Sequence, residues 1–253
     1  MLGVGLGSQP TTECGIFGSY QCLELDGNSD LVRLPIDTLG PNIKTDSGTL
    51  SCWVDIRDND GATTQNIIRI ADNSSNNNVG LQFHRANTEF RAIYRMNGVY
   101  KEATYDETGY DVAAYAAQGW IHLAMTWTHD GGSTGAVKIY KNGDLQDTVA
   151  QAEAFPEADA IDIIHIGAND AGTGGFADGF IDQVAIYDEV LSDGAITAIY
   201  NEGTMRDLTT FHTHYSPRGL IAYYQFEGNA LDSSGNGHHG TLIGTAGFNT
   251  SQP

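Results

Sequence analysis

The chain has 253 residues, with 32 acidic side chains against 12 basic ones and a formal net charge of −20 at pH 7. That balance leaves no basic stripe to displace counterions, which excludes nucleic acid as a partner. No apolar run approaches the roughly 20 residues that span a bilayer, which excludes membrane insertion by a helix. Hydrophobic content of 40% with 31 Gly and only 6 Pro belongs to a globular chain, large enough for one β domain or two small ones. The acidity describes a solvated, self-repelling surface, or carboxylates that hold a hard cation such as Ca²⁺.

The opening residues, MLGVGLGSQPTTE, lack a basic segment and an apolar core, so no signal peptide is expected. Residues 1–19 read as an arm rich in Gly, Ser and Thr. Tyr20–Pro35 gives a strand, a turn at Asp26-Gly27-Asn28, and a second strand through Leu31 and Val32. Thr49–Asp58 alternates with period two, Leu50, Cys52, Val54 and Ile56 on one face and Ser51, Trp53 and Asp55 on the other. Two further strands, Asn66–Asp72 and Asn78–Arg85, flank a polar loop. Glu89–Tyr105 reads as a hairpin turning at Asn97-Gly98, and Ala136–Ala150 as another turning at Asn142-Gly143. Gly119–Asp130 is the most hydrophobic strand, expected at the centre of a sheet.

Ile161–Asp170 leads through a glycine-rich loop into GFIDQVAIYDEVLSDGAITAIYNEG, residues 179–203. Its first half is β-rich. Ser192 is placed to cap a short helix, with Ile196, Ile199 and Tyr200 on one face, Leu191 and Ile196 as a staple, and Gly203 as the stop. Many short strands, regular turns and a single helix near the end describe an all-β antiparallel sandwich. Of the three cysteines, Cys22 and Cys52 fall in apolar strands as buried thiols, and a Cys14–Cys22 bridge is left open; no CxxC pair suggests zinc.

The segments LELDGNSDLVRLP, TLSCWVDIRD, GWIHLAMTWTHD, VKIYKNGDLQDT and the closing motif together resemble the laminin-G-like branch of the concanavalin A-like lectin/glucanase superfamily over residues 20–203, within a domain expected to span residues 20–208. The resemblance implies a jelly roll of two curved sheets with ligand loops along one edge or the concave face. YYQFEGNALDSSGNGHHGTLIG, in the remaining residues 209–253, belongs to the same vocabulary but normally stands first. It begins a second domain, folds back on its own sandwich, or pairs with a neighbouring copy. This layout also resembles laminin-G-like proteins on the particles of tailed phages, which implies a virion-surface location and docking on other virion proteins or copies of itself.

The resemblance further implies one structural Ca²⁺ held by Asp182 and the Asp26-Gly27 turn; the alternative is that Asp26 only makes the turn and Asp182 only caps a loop. The loops Asp72–Asn78 and Asp170–Asp178 offer Asp72, Asn76, Asp170 and Asp178 to a ligand and to a second Ca²⁺ that bridges to it, and ordinary turn chemistry accounts for them equally well. Tyr94 and Tyr100 lead the candidate aromatic platforms for a sugar, followed by Tyr105, Tyr110 and Trp53. The stretch Glu157–Asp162 is the nearest approach to paired glycosidase carboxylates, yet it reads as an acidic loop. The function expected first is a non-catalytic virion structural or decoration protein. A calcium-dependent carbohydrate-binding or adhesion module recognising host glycans comes second, and a glycoside hydrolase third.

Overall fold

The computed structural model describes residues 21–57, 64–74, 76–106, 119–129, 135–151, 161–169 and 171–249. Its strands are β1 (Cys22–Asp26), β2 (Leu31–Arg33), β3 (Ser47–Ile56), β4 (Thr64–Ala71), β5 (Asn78–His84), β6 (Glu89–Met96), β7 (Val99–Asp106), β8 (Ile121–Thr128), β9 (Gly135–Lys141), β10 (Asp144–Gln151), β11 (Ile163–Ile166), β12 (Asp178–Tyr187), β13 (Leu220–Tyr224), β14 (Thr241–Ile243) and β15 (Gly247–Asn249). Among the described residues two short helices, α1 (Ile36–Leu39) and α2 (Asp193–Tyr200), accompany them, the first of which was not expected. The strands form two antiparallel sheets. One runs β10-β9-β8-β3-β12-β1-β15 with β13 also on β12; the other runs β14-β2-β11-β4-β5-β6-β7. The expected all-β sandwich is the observed fold.

Alternation builds the core. Leu50, Cys52, Val54 and Ile56 of β3 face Ile68, Val79, Leu81 and Phe83 of the opposite sheet within one apolar cluster. The other face of β3 is buried as well, because α2 lies over it. Leu191, Ile196 and Ile199 pack there with Ala124, Tyr140 and Tyr187 in a second cluster. Ser192 Oγ caps α2 by accepting from the Ala195 N–H at 3.2 Å. Asp193 ties the same end to β9, accepting from Tyr140 Oη at 2.7 Å and Lys138 Nζ at 3.0 Å. The helix stops at Tyr200, earlier than Gly203, because Asn201 turns left-handed at φ 49°.

Both expected hairpin turns form, with positive φ at both central residues, Asn97-Gly98 and Asn142-Gly143. The Asp26-Gly27-Asn28 turn does something different: β1 and β2 belong to different sheets, so it carries the chain across the sandwich. Of the three arrangements open to the tail, the chain adopts the second. Tyr224 of β13 pairs with Val184, Leu242 of β14 with Val32, and Phe248 of β15 with Leu23. Two aspartates fix it. Asp232 accepts from the N–H groups of Tyr223, Ser234 and His238, and Asp30 accepts from the Thr245 N–H at 2.6 Å. Cys52 is a free, fully buried thiol as expected, whereas Cys22 is disulfide-bonded and not a thiol. Cys14 lies outside the described residues.

Candidate functional site

The inward residues of the seven-stranded sheet include Val32, Ile164, Ile68 and Ile70, so the residues between them lie on its outer face. Register then sets Arg33 beside His165, His165 beside Arg69, Arg69 beside Gly80 and Gly80 beside Ile93. Gly80 and Ile93 are buried, whereas Arg33 at the β2 end is exposed. His165 is buried too and Arg69 half-buried, so the row is most accessible at Arg33, at its β2 end.

A cleft of about 350 Å³ opens there. Arg33, Asn73, Asp162 and His165 supply its polar groups, and Leu34, Ile36, Ile163 and Ala171 its apolar wall. Asp162 leads into β11 and accepts the Asn73 N–H at 3.0 Å, which pins the 72–77 loop to the rim. His165 Nδ1 lies 3.0 Å from the carbonyl of Asn169. A carbonyl can only accept, so Nδ1 carries the proton and the ring is fixed against the 169–175 loop. Asn169 also accepts from the Gly172 N–H and donates its own N–H to Gly174, closing that loop on itself.

The two loops singled out in the sequence thus flank one cleft, but through other residues than those expected. Asp72 turns its carboxylate into its own loop, accepting from Ser74 Oγ at 2.8 Å and Asn77 Nδ2 at 2.6 Å. Its partial burial would raise the pKa, yet those bonds outweigh it and hold the group below the usual carboxylate range. Asn76 is exposed and accepts the Gly98 N–H. Asp170 lies outside the described residues.

Tyr94 is fully buried in the main core with its hydroxyl 3.3 Å from the carbonyl of Thr45, so it offers no platform to a ligand. Tyr100 is 44% exposed on β7, its phenol pushed up to about 12 by partial burial and by Glu102. Trp53 is buried against His122 and Tyr200. Tyr105 lies under Lys141 Nζ, 4.6 Å from the ring centre, and Tyr110 lies outside the described residues. Arg33 carries no signal beyond an ordinary polar strand position, Asn73 falls inside the polar loop without being distinguished from its neighbours, and His165 reads only as a packing or hydrogen-bonded strand residue.

The expected calcium set does not come together. Asp26 sits opposite Asp178 in the β1–β12 ladder, and Asp182 is four residues further along β12. At about 3.3 Å per residue that is roughly 13 Å, too far for ligands that each stand about 2.4 Å from one ion. Asp26 instead accepts from the N–H groups of Asn28, Ser29 and Asp30, which hold its pKa down despite partial burial, and Gly27 donates to the carbonyl of Ala177. Asp182 is fully buried and accepts the Gln183 N–H at the β12 bulge. Among the described residues no group of three His, Cys, Asp or Glu is placed to hold a metal.

Asp178 joins Glu24, Asp26, Asp30 and Arg57 around a second cleft, of about 310 Å³. That cleft is where the tail is anchored. Asp30 holds Thr245, Glu24 accepts from Asn249 Nδ2 at 2.9 Å, and Arg57 stacks on Phe180 at 4.2 Å.

The Laminin_G_3 family model, described as concanavalin A-like lectin/glucanases superfamily, matches residues 26–197. The chain belongs to this superfamily. Among curated proteins none matches. Among solved structures, this superfamily member is similar to a proposed carbohydrate-binding protein of Bacteroides ovatus, with a TM-score of 0.61 at 14% identity. That match covers 93% of this chain and 61% of the other, so the chain spans less than two thirds of that protein. It is also similar to the CBM40 module of the Ruminococcus gnavus IT-sialidase, with a TM-score of 0.53 at 18% identity over 72% of this chain and all of that one. The same module has been solved with α2,3-sialyllactose bound, and in that form matches at 0.51. The binding domain of botulinum neurotoxin serotype G matches at 0.52 and 14% identity, over 71% of this chain and 42% of the other. At these identities the likeness is one of fold.

Proposed function

We propose that this superfamily member is a non-catalytic carbohydrate-binding module that takes a saccharide in the Arg33–His165 cleft. The observation that carries the reading is the cleft's composition. A guanidinium, an amide, a carboxylate and an imidazole converge on a space at the lower end of the 300–1,000 Å³ usual for ligand pockets, beside an aliphatic wall. Sugar hydroxyls suit the first set, donating to Asp162 and accepting from Arg33 and Asn73, and the C–H face of the ring suits the second. Solved proteins of this fold whose names state carbohydrate binding or a bound sialyllactose lend support.

A hydrolytic role lacks its machinery in this cleft. Asp162 is the one carboxylate among its described lining residues, where glycosidases of the usual kind need two. Glu89 and Glu102 on the same sheet face are ion-paired to Arg91. Of the stretch Glu157–Asp162, residues 157–160 lie outside the described residues. Calcium dependence is not part of the reading, because the Asp26–Gly27–Asp182 set does not fit one ion. The Cys22 disulfide favours an oxidising, extracellular or surface setting, and among the described residues no helix is long and apolar enough to cross a membrane. A virion-surface location rests on the layout of the sequence alone, and the tail that suggested docking on neighbours is engaged in the chain's own sheets.

A glycan array probed with the full chain tests this. Retention on at least one glycan is expected. Asn73→Ala should weaken that retention about tenfold with an unchanged melting temperature, since a lost hydrogen bond to a ligand is worth about 1 kcal/mol or somewhat more. Retention on no glycan overturns the proposal.

A further inference from the structure

We infer that the saccharide is acidic, and that Arg33 clamps its carboxylate. The inference rests on the carbohydrate reading and names the class of sugar. Acids outnumber bases 32 to 12, so carboxylates to pair with a surface cation are plentiful in the chain as a whole. Several cations do pair: Arg91 with Glu89 and Glu102, Lys44 with Asp188, Lys138 with Asp193. Arg33 is exposed at the mouth of the cleft, and among the described residues its guanidinium has no ion-pair or hydrogen-bond partner. Its cross-strand neighbours are Thr241 on β14 and His165 on β11, with Arg69 beyond, so no acid flanks it in the row.

A guanidinium presents a planar fork of N–H donors that matches a carboxylate in two parallel bonds. The other polar groups do not compete for that role. Asp162 repels an anion but accepts hydroxyls, and one of its oxygens is already taken by Asn73. His165 is held by the Asn169 carbonyl. The arrangement therefore orients an acidic sugar, with its carboxylate at Arg33, its hydroxyls toward Asp162 and Asn73, and its ring along Ile36 and Ile163. A neutral sugar loses the charged contact and leaves Arg33 hydrated.

Isothermal titration of the full chain with matched pairs tests this: glucuronate against glucose, galacturonate against galactose, and sialyllactose against lactose, with acetate as a bare carboxylate. In at least one pair the acid is expected to bind tenfold or more tightly than its neutral partner. Arg33→Met, which keeps most of the aliphatic stem and the melting temperature, should bring the two within about twofold, and Arg33→Lys should restore only part of the preference. Acid and neutral sugars binding alike overturns the inference and leaves the carbohydrate reading standing. A preference that survives Arg33→Met overturns the clamp. Acetate binding as tightly as the acidic sugars overturns the saccharide's part in recognition, and a panel in which no sugar binds overturns both readings.

Discussion

His122 shows how completely the outer side of the eight-stranded sheet is enclosed. It lies opposite Trp53 in the β3–β8 ladder, fully buried, with Nε2 at 2.8 Å from Ser51 Oγ and rings of Trp53 and Tyr200 against it. Nδ1 is buried with no partner. Removal from water disfavours the imidazolium and pushes the pKa down to about 3. The sign of the pH effect follows. Between the unfolded value near 6.5 and the folded value near 3, the unfolded chain holds one more proton at this site than the folded chain. The stabilising contribution is therefore whole above pH 6.5 and is lost as pH falls, by up to about 1.4 kcal/mol per pH unit. Urea melts from pH 7 to pH 4 should show that slope, and His122→Met should flatten it. An unchanged slope in the variant would mean that the ring is solvated or charged in the folded protein. A serine beside a histidine suggests nucleophilic chemistry on paper, but burial and a depressed pKa make this pair structural.

At the scale of elements, the tail completes the sandwich. β14 and β15 are short, and each covers the edge of a different sheet, β2 in one and β1 in the other. The crossing between them is pinned where Asp30, 2% exposed, accepts both the N–H and the hydroxyl of Thr245. Asp30→Ala should cost about 1–3 kcal/mol by denaturant melts, the range for buried polar groups left unpaired. Amide exchange should accelerate at Thr245 and along β15 before it does in β3 or β12. Equal acceleration throughout would show that the tail is not a separately opening strap.

The pairing of these strands could not be read locally. Tyr223–Gly244 carries recognisable strand residues, but which edge a strand joins depends on which edges the rest of the fold leaves open. The central elements were legible because their instructions are local. Period two in β3, Asn-Gly turns in the hairpins and a serine cap on α2 each specify themselves. The same alternation would also have corrected Tyr94, which falls in step with Phe90, Ala92 and Met96 on the core face of β6.

For the whole molecule, the two cleft regions divide the work. On one side of the described fold, the acidic cleft seats the tail through Asp30 and Glu24. The other cleft, with an unpaired arginine and loops from two parts of the chain, has no such internal occupant among the described residues. Sequence reading found the loops at 72–78 and 170–178 because Asp, Asn and Gly mark turns. It missed Arg33, and read His165 only as a packing or hydrogen-bonded residue, because their placement together is cross-strand. Only the register of β2, β11 and β4 places them in one row. It also joined Asp26 to Asp182 on family likeness, and the ladder between β1 and β12 separates them.

Backbone amide shifts recorded while an acidic saccharide is titrated into the labelled chain address the binding site directly. The largest changes are predicted at Arg33, Asn73, Asp162 and His165, with little change at Asp26, Asp178 or Thr245. Shifts that cluster around the second cleft, or on the α2 side of the eight-stranded sheet, would contradict the account.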